Sequence, residues 1–327
     1  MPELRIDPLT GLRAIVATER ALRPGGGFTV APPPAPIDPD EDPFAEGHED
    51  RTPPELYAVR PHNSEPDGPG WTVRAFTNLY PALDADSPQP QRDSKPDLFA
   101  SLPARGSHEV IVNAPQPVQS LADLGVEQVR SAVEVWRERM RAHDWAAYPH
   151  LIVNERPEGG SSQPHTHAQL FALDFVPAAV ARERERFHAY ATRTMGFSLL
   201  ADLVQEEVRR RKRIVAIDDE AVLICPYAAR LPYQLMLVPR KGRPRFQEDG
   251  ATAAALLHDG LRRLARLFGS SPPLNLWVRT APRDAEHFCW RIDIVPRLGG
   301  LAGLELGTGV HLNAVAPEQA AAELRDA

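Results

Sequence analysis

Apolar and polar residues follow two different periods along the chain. Short stretches in which they alternate, or in which apolar residues run together, are typical of β-strands. In the first half such stretches lie at 71–76, 108–113, 151–154 and 165–173. In the second half they lie at 221–225, 234–238, 274–278 and 288–295. Each half therefore contains four predicted strands.

A helical period separates the predicted strands of each half into two pairs. Val129, Val133 and Trp136 share one face of a predicted helix over 126–141, with charged residues opposite. A second amphipathic helix is predicted over 251–268. Both halves thus show strand, strand, helix, strand, strand, which predicts an α+β protein built from two related domains.

The segment from 177 to 213 is predicted to be helical and heavily charged, with alternating arginine and glutamate at 182–186. It is the predicted hinge between the halves, and we expect the domains to span 1–183 and 184–327. The 34 prolines concentrate at 32–69 and 81–103. These two segments are predicted to be irregular, because proline lacks a backbone donor and disfavours helix at the preceding residue.

Composition narrows the class of protein. The chain has 327 residues, 43% of them hydrophobic, which is enough to bury a core in each half. Its formal net charge is −7, and it contains no basic block of the kind that binds nucleic acid or membrane surfaces. Cys225 and Cys289 lack C-x-x-C spacing, which is typical of a reducing compartment. The first residues lack a basic region followed by an apolar run, and no segment approaches 18 uninterrupted apolar residues, so we expect neither a secretory leader nor a membrane span. We expect a cytoplasmic protein with small-molecule substrates and neither nucleic acid nor membrane as partner.

The stretch of greatest chemical interest runs from Gly159 to Phe171. Strand-like alternation places His165, His167 and Gln169 on one face. A neutral imidazole can attack phosphorus near neutral pH, an adjacent amide can hold a phosphoryl oxygen, and the preceding glycine- and serine-rich turn can bind an anion. Two histidines at this spacing can also be structural, solvent-facing or metal ligands. The residues alone leave these alternatives open.

Several short motifs occur in the same order as in one known family. The motif H-T-H-A-Q occupies 165–169, and the others lie at 5–11, 19–24, 43–44, 52–55, 71–74, 76–78, 81–83, 108–112, 296–298, 302–305, 307–309 and 317–321. Because they extend nearly end to end and are collinear, the chain resembles the galactose-1-phosphate uridylyltransferases, a branch of the histidine-triad superfamily. The resemblance implies two tandem histidine-triad-like domains, each an antiparallel sheet with packed helices, in a homodimer.

The resemblance also implies a nucleotidyltransferase with a covalent intermediate. His167 would attack the α-phosphorus of a nucleoside diphosphate hexose, hexose 1-phosphate would leave, and a second sugar phosphate would accept the nucleotidyl group. Gln169 would donate to a nonbridging phosphoryl oxygen. The other implied substrate contacts are Arg20 and Arg23 at the diphosphate, Asn78 at the ribose, Asn154, Ser161 and Ser162 in a phosphate loop, His165 beside the nucleophile, and Glu305 at the sugar.

The chain departs from the family pattern at two metal sites. Many relatives hold a structural zinc with a C-x-x-C pair, a histidine before the middle helix and the first histidine of the motif, and some hold iron at a second site. The corresponding residues here are Asp42, Ala45, Pro117 and His165 at the first site and Arg279, Cys289 and Arg291 at the second. Since one imidazole cannot hold zinc tetrahedrally, we expect neither zinc nor iron and no other cofactor.

Three functions stay open beside the transferase. Thr166 replaces the usual proline of the motif, and Leu79 replaces a residue near the ribose that is often acidic or polar. The base and the acceptor are therefore undetermined, and an adenylyl-sugar phosphorylase is the main competitor. A hydrolase of nucleotide sugars or dinucleoside polyphosphates is disfavoured by Gln169, where histidine-triad hydrolases usually have a third histidine. A non-catalytic nucleotide-binding protein is disfavoured because it would not need His167.

Overall fold

A computed structural model describes residues 1–22, 28–87, 98–99, 101–250 and 253–327. Within these residues the strands are β1 (Glu3–Ile6), β2 (Arg13–Val16), β3 (Glu55–Val59), β4 (Val73–Thr77), β5 (Gly106–Val112), β6 (Tyr148–Glu155), β7 (His167–Leu173), β8 (Ile214–Ile217), β9 (Ala221–Ile224), β10 (Leu235–Pro239), β11 (Leu274–Arg279), β12 (Arg291–Pro296) and β13 (His311–Asn313). The helices are α1 (Val126–Ala142), α2 (Ala178–Arg193), α3 (Leu199–Arg210), α4 (Ala254–Phe268), α5 (Gly303–Thr308) and α6 (Pro317–Asp326).

Ten of these strands form one continuous sheet. Their order is β3-β4-β5-β7-β6-β11-β12-β10-β9-β8, and every neighbouring pair is antiparallel. The first five come from the first half of the chain and the last five from the second. Each half contains three strands, a helix (α1 or α4) and two strands, in the same spatial order from the outer edge to the centre. The α+β fold with two related halves is confirmed.

The two halves join where β6 pairs with β11. Val153 lies opposite Leu276, and Glu155 lies opposite Leu274. Helices α1 and α4 contact each other, and the buried core beneath them is continuous across the junction. Trp136 of α1 is fully buried within it. The halves therefore share one sheet and one core.

A buried ion pair fixes α1 to the first half of the sheet. Glu109 of β5 accepts hydrogen bonds from Nε and Nη2 of Arg139 at 2.8 and 2.7 Å, and from Nε2 of His143 at 2.6 Å. Burial acts to raise the pKa of Glu109, but the bonds from Arg139 and His143 outweigh burial, and the net shift is downward. The carboxylate therefore remains charged and paired at neutral pH.

The observed elements differ from the predicted ones mainly at the edges of the sheets. β3 lies inside the segment 32–69 that was expected to be irregular, because Pro53 and Pro54 precede the strand and leave its own five residues free to pair with β4. β8, at the opposite edge, and the small sheet of β1, β2 and β13 are not indicated by the sequence pattern. These strands have only three or four residues each, which is too short for a clear alternation.

Several predicted boundaries also shift. α1 spans the predicted helix, whereas α4 begins at Ala254, and residues 251 and 252 lie outside the described residues. The second proline-rich segment lies partly outside them too. β7 begins at His167, because the Thr166 N–H donates to the Val118 carbonyl instead of joining the sheet. The predicted domain boundary after residue 183 falls within α2 and stays a prediction. Of the helices in the described ranges, none is long and apolar enough to cross a bilayer.

The turn after β6 approaches β11 very closely at Gly159. A Cβ there would lie 2.6 Å from the carbonyl oxygen of Leu274. We expect Gly159→Ala to lower the free energy of unfolding by about 1–3 kcal/mol, because backbone must move to relieve the contact. Gly299→Ala is the matched control, since nothing lies within 4 Å of its Cβ position. Equal urea midpoints for the two variants would contradict this expectation.

Glu155, at the end of β6, is a buried acid whose stability contribution depends on pH. It accepts hydrogen bonds from Ser120 Oγ and Leu121 N–H, but its burial raises the pKa from 4.5 to about 7. Because the pKa is higher in the folded state, stability is greatest below the unfolded value and falls as the pH rises to the folded value. From about pH 4.5 to 7.5, we expect wild type to lose about 3 kcal/mol relative to Glu155→Gln. A pH-independent difference in unfolding free energy would refute this assignment.

Candidate active site

The register of β7 places two predicted site residues on the face of the sheet opposite α1. Ala168 and Leu170 belong to the core beneath the helices, so His167 and Gln169 point to the other face. On the neighbouring strand β5, Val112 lies opposite His167 and Val110 opposite Gln169. His167 and Gln169 therefore share one face as predicted, whereas His165, predicted to alternate with them, lies before the strand begins.

His167 is held in one tautomer by the backbone. Its Nδ1 lies 2.8 Å from the carbonyl oxygen of His165, and since a carbonyl can only accept, Nδ1 carries the proton. Nε2 then has a free lone pair. It has no hydrogen-bond partner among the described residues and is not sealed from solvent, although the residue as a whole is only 4% exposed. Burial lowers the pKa of His167, with the bond to His165 acting in the opposite direction, so the ring is neutral near pH 7.

His165 precedes β7, and its ring is fully buried. Nε2 lies 2.8 Å from the carbonyl oxygen of Ala114, and Nδ1 lies 2.6 Å from Oδ2 of Asp42. The other carboxylate oxygen of Asp42 accepts the Phe44 N–H at 2.9 Å. The ring of Phe44 in turn packs edge-on against His167, with centroids 5.2 Å apart. The ring of His165 is therefore enclosed between Asp42 and Ala114, and the backbone carbonyl of His165 is the group that contacts His167.

Gln169 is oriented by His108 of β5. The Ala82 N–H donates to Nδ1 of His108 at 3.1 Å, so the proton of the neutral ring lies on Nε2, which donates to Oε1 of Gln169 at 3.0 Å. Burial lowers the pKa of His108, which keeps the ring neutral, and the ring stacks on Phe171. Because Oε1 is occupied, the amide group of Gln169 can present its N–H donors to the open face.

His108 is a site residue that the sequence interpretation missed. The sequence pattern predicts only a strand at His108, yet His108 alternates with Val110 and Val112, and a histidine on the face of the predicted catalytic residues is a usable signal. Asn78, predicted to bind the ribose, lies nearby, with Nδ2 3.2 Å from Nε2 of His108 and Oδ1 accepting the Tyr80 N–H.

The predicted phosphate loop begins beside His167. Val153 pairs with Ala168, so Asn154 lies next to His167 where the ladder ends. Oδ1 of Asn154 accepts a hydrogen bond from Asn275 of β11 at 2.7 Å. In the loop, Ser161 Oγ donates to the carbonyl of Gln163 and Ser162 is exposed.

The remaining predicted substrate residues lie elsewhere. Arg20 and Glu305 line a groove of about 580 Å³ beside the end of β12. In the sheet, β12 is three strands from β7, a lateral distance of about 15 Å. Glu305 accepts the backbone N–H groups of Ala302 and Leu312, so it also caps α5. Arg23 lies outside the described residues.

No group of three histidine, cysteine, aspartate or glutamate side chains in the described part of the chain is arranged to hold a metal ion. The site instead combines a neutral imidazole with a free lone pair, an oriented amide and a polar loop. This set can perform nucleophilic attack on an electrophilic centre and stabilise the oxygens around it.

Comparison with proteins of known sequence and structure places the chain in one family. A model of the galactose-1-phosphate uridyl transferase N-terminal domain matches residues 1–177. ADP-glucose phosphorylase from Arabidopsis thaliana is 28% identical over 99% of this chain and 93% of its own length. A galactose-1-phosphate uridylyltransferase from Haemophilus influenzae is 29% identical over 76% of this chain and 75% of its own.

Solved structures support the same family. The crystal structure of the Arabidopsis thaliana ADP-glucose phosphorylase with bound ADP-glucose has 26% sequence identity and a TM-score of 0.80, covering 100% of this chain and 99% of that one. The structure of a uridylyltransferase has 25% identity and a TM-score of 0.74, with 100% and 98% covered. The chain therefore belongs to the galactose-1-phosphate uridyl transferase family.

Proposed function

We propose that this chain transfers a nucleotidyl group from a nucleoside diphosphate hexose to a phosphate-containing acceptor through a covalent nucleotidyl-His167. The observation that carries the proposal is the free Nε2 of a neutral His167 whose Nδ1 proton is held by the His165 carbonyl. Membership of a family of nucleotidyltransferases and phosphorylases supports this class of reaction.

In the proposed first step the Nε2 lone pair attacks the α-phosphorus. A P–N bond forms, the P–O bond to hexose 1-phosphate breaks, and hexose 1-phosphate leaves with the electron pair. Positive charge develops on the imidazole, which strengthens the bond from Nδ1–H to the His165 carbonyl. In the second step an acceptor phosphate oxygen attacks the same phosphorus and the imidazole leaves as a neutral base. The histidine therefore needs neither to gain nor to lose a proton.

Stabilisation of the phosphoryl oxygens is assigned to neutral donors. Gln169 presents its amide N–H to a nonbridging oxygen, with its own oxygen retained by His108. Ser161, Ser162 and Asn154 are placed along the adjacent loop, and Asn78 is assigned to the ribose. Donors fixed before the reaction stabilise developing charge without the cost of reorganising solvent.

The proposal includes a homodimer. Arg20 and Glu305 line a groove that is three strands from β7, so we assign them, with Arg23, to the diphosphate and sugar bound at the site of a second copy. In this arrangement each site is completed by both subunits.

The acceptor distinguishes two candidate functions. Hexose 1-phosphate as acceptor gives a uridylyltransferase-like reaction, whereas inorganic phosphate gives a nucleotide-sugar phosphorylase. The phosphorylase is favoured by one specific observation, since the Arabidopsis thaliana ADP-glucose phosphorylase matches this chain over nearly the whole length of both proteins.

Intact mass measured under mildly basic conditions tests the covalent step. After incubation with UDP-glucose or ADP-glucose, we expect wild type to gain one nucleoside monophosphate and His167→Ala to gain none. Because the pKa of His167 lies below its ordinary value, the rate of adduct formation should be constant above neutrality and decline only as acid protonates Nε2. Turnover without an adduct, or an adduct in His167→Ala, would overturn the proposal.

Acceptor choice is tested on the labelled adduct. Nucleotidyl-enzyme carrying ³²P is mixed with galactose 1-phosphate, inorganic phosphate or buffer alone, and the released product is identified. Preferential release by inorganic phosphate would support the phosphorylase, preferential release by galactose 1-phosphate would support the transferase, and equal release in buffer alone would contradict both.

Replacement of His108 tests the orientation of Gln169. His108→Phe keeps a ring against Phe171 but removes the Nε2 donor, so the amide can rotate. We expect adduct formation to slow by about 10- to 100-fold, with little change in KM, because the lost interaction acts on the transition state. His150→Phe is the matched control, since His150 is half-buried beside Tyr148 and its Nδ1 has no hydrogen-bond partner among the described residues. Equal rates in the two variants would rule out this role.

A further inference from the structure

The residues that stand in place of the zinc ligands of relatives converge in space. Asp42 and His165 are 123 residues apart in the chain, yet Oδ2 and Nδ1 lie 2.6 Å apart and neither side chain is exposed. The segment after Pro117 lies beside them, because the Val118 carbonyl accepts the Thr166 N–H at 2.8 Å. The two residues that stand at zinc-ligand positions are therefore in direct contact with each other.

The residues present do not fit a metal ion. Of the positions that hold the zinc ligands in relatives, only Asp42 and His165 carry a metal-binding side chain here, because Ala45 and Pro117 have none. No group of three histidine, cysteine, aspartate or glutamate side chains in the described residues could complete such a site. Nε2 of His165 faces the Ala114 carbonyl and carries a proton. Nδ1 faces the carboxylate of Asp42, whose second oxygen accepts the Phe44 N–H. Both ring nitrogens of His165 therefore have partners within the protein.

The Asp42–His165 pair is electrically neutral as a unit. Nε2 holds one proton, and one further proton lies between Nδ1 and Oδ2. Whether that proton resides on nitrogen or on oxygen, the two side chains together carry no net charge. A neutral, fully hydrogen-bonded pair can be buried without the cost of an isolated ion.

The second metal position shows the same kind of substitution. Nη1 and Nη2 of Arg291 donate to Glu183 at 3.0 and 3.2 Å, and Nε donates to Asp293 at 3.0 Å. Nε of Arg279 lies 3.4 Å from the Glu183 carboxylate. Burial acts to raise the pKa of Glu183, but the two arginines outweigh it and the net shift is downward. This position is therefore occupied by guanidinium groups, which do not ligate metals.

We propose that the protein works without metal and that Asp42, in place of a metal ligand, is a positioning residue for His167. Asp42 and Ala114 hold the His165 ring at both nitrogens, which fixes the His165 backbone. The carbonyl of that same residue holds Nδ1–H of His167 and directs Nε2 toward the substrate. This inference rests on the proposed role of His167 as nucleophile.

Two variants of Asp42 separate positioning from folding. Asp42→Ala leaves Nδ1 of His165 without a partner, so we expect adduct formation to slow by about 10- to 100-fold with KM nearly unchanged. Asp42→Asn can donate its amide N–H to Nδ1 and still accept the Phe44 N–H, so it should retain a rate within about fivefold of wild type. Both are assayed below their unfolding temperatures.

Glu207→Gln is the matched control. Glu207 is another buried carboxylate, paired with Arg213 on the second half of the molecule. Its loss should lower the unfolding temperature without slowing adduct formation. If Asp42→Ala behaves like this control, Asp42 is only structural and the positioning role is wrong.

Elemental analysis and chelation complete the test. We expect purified wild type to contain less than about 0.1 zinc or iron per chain and to form the adduct at an unchanged rate in EDTA. Stoichiometric metal, or loss of activity in EDTA, would overturn the metal-free inference. If wild type forms no adduct at all, the proposed function fails. A wild-type adduct with an unaffected Asp42→Ala rate refutes the positioning role alone.

Discussion

The hydrogen bond between Nδ1–H of His167 and the carbonyl of His165 is the interaction on which the rest of the site depends. This hydrogen bond joins residues that are two positions apart. Its geometry depends on how rigidly the backbone holds the carbonyl of His165. Thr166, between the two histidines, donates to Val118 and accepts from Asn113. The proposed nucleophile is thereby connected to the segment that precedes α1. The packing of the first half of the chain therefore helps to determine which ring nitrogen of His167 carries the proton.

The sequence predicts the local part of this arrangement and not its distant supports. Strand alternation is sufficient to place His167 and Gln169 on one face, and helical spacing is sufficient to find α1. The partners that fix these residues are far away in the chain, since His108 is 61 residues from Gln169 and Asp42 is 123 residues from His165. No local period relates residues so far apart, and only the order of the strands brings them together.

The two halves use equivalent positions for different purposes. Arg291 and Asp293 alternate on β12 with core residues, as His167 and Gln169 do on β7. In the first half these positions carry the candidate chemistry, and in the second they carry a buried ion-pair cluster with Glu183. The same outward positions can therefore hold either candidate site residues or internal ion pairs.

Because β6 of the first half pairs with β11 of the second, we expect neither half to fold stably on its own. Cut apart, each would expose a long central strand with unsatisfied backbone groups and apolar side chains such as Leu151 and Leu276. Exposed strands of this kind recruit copies of themselves and aggregate. A proteolytic cut in the segment 177–213 would therefore be tolerated only while the pairing of β6 with β11 holds the two fragments together.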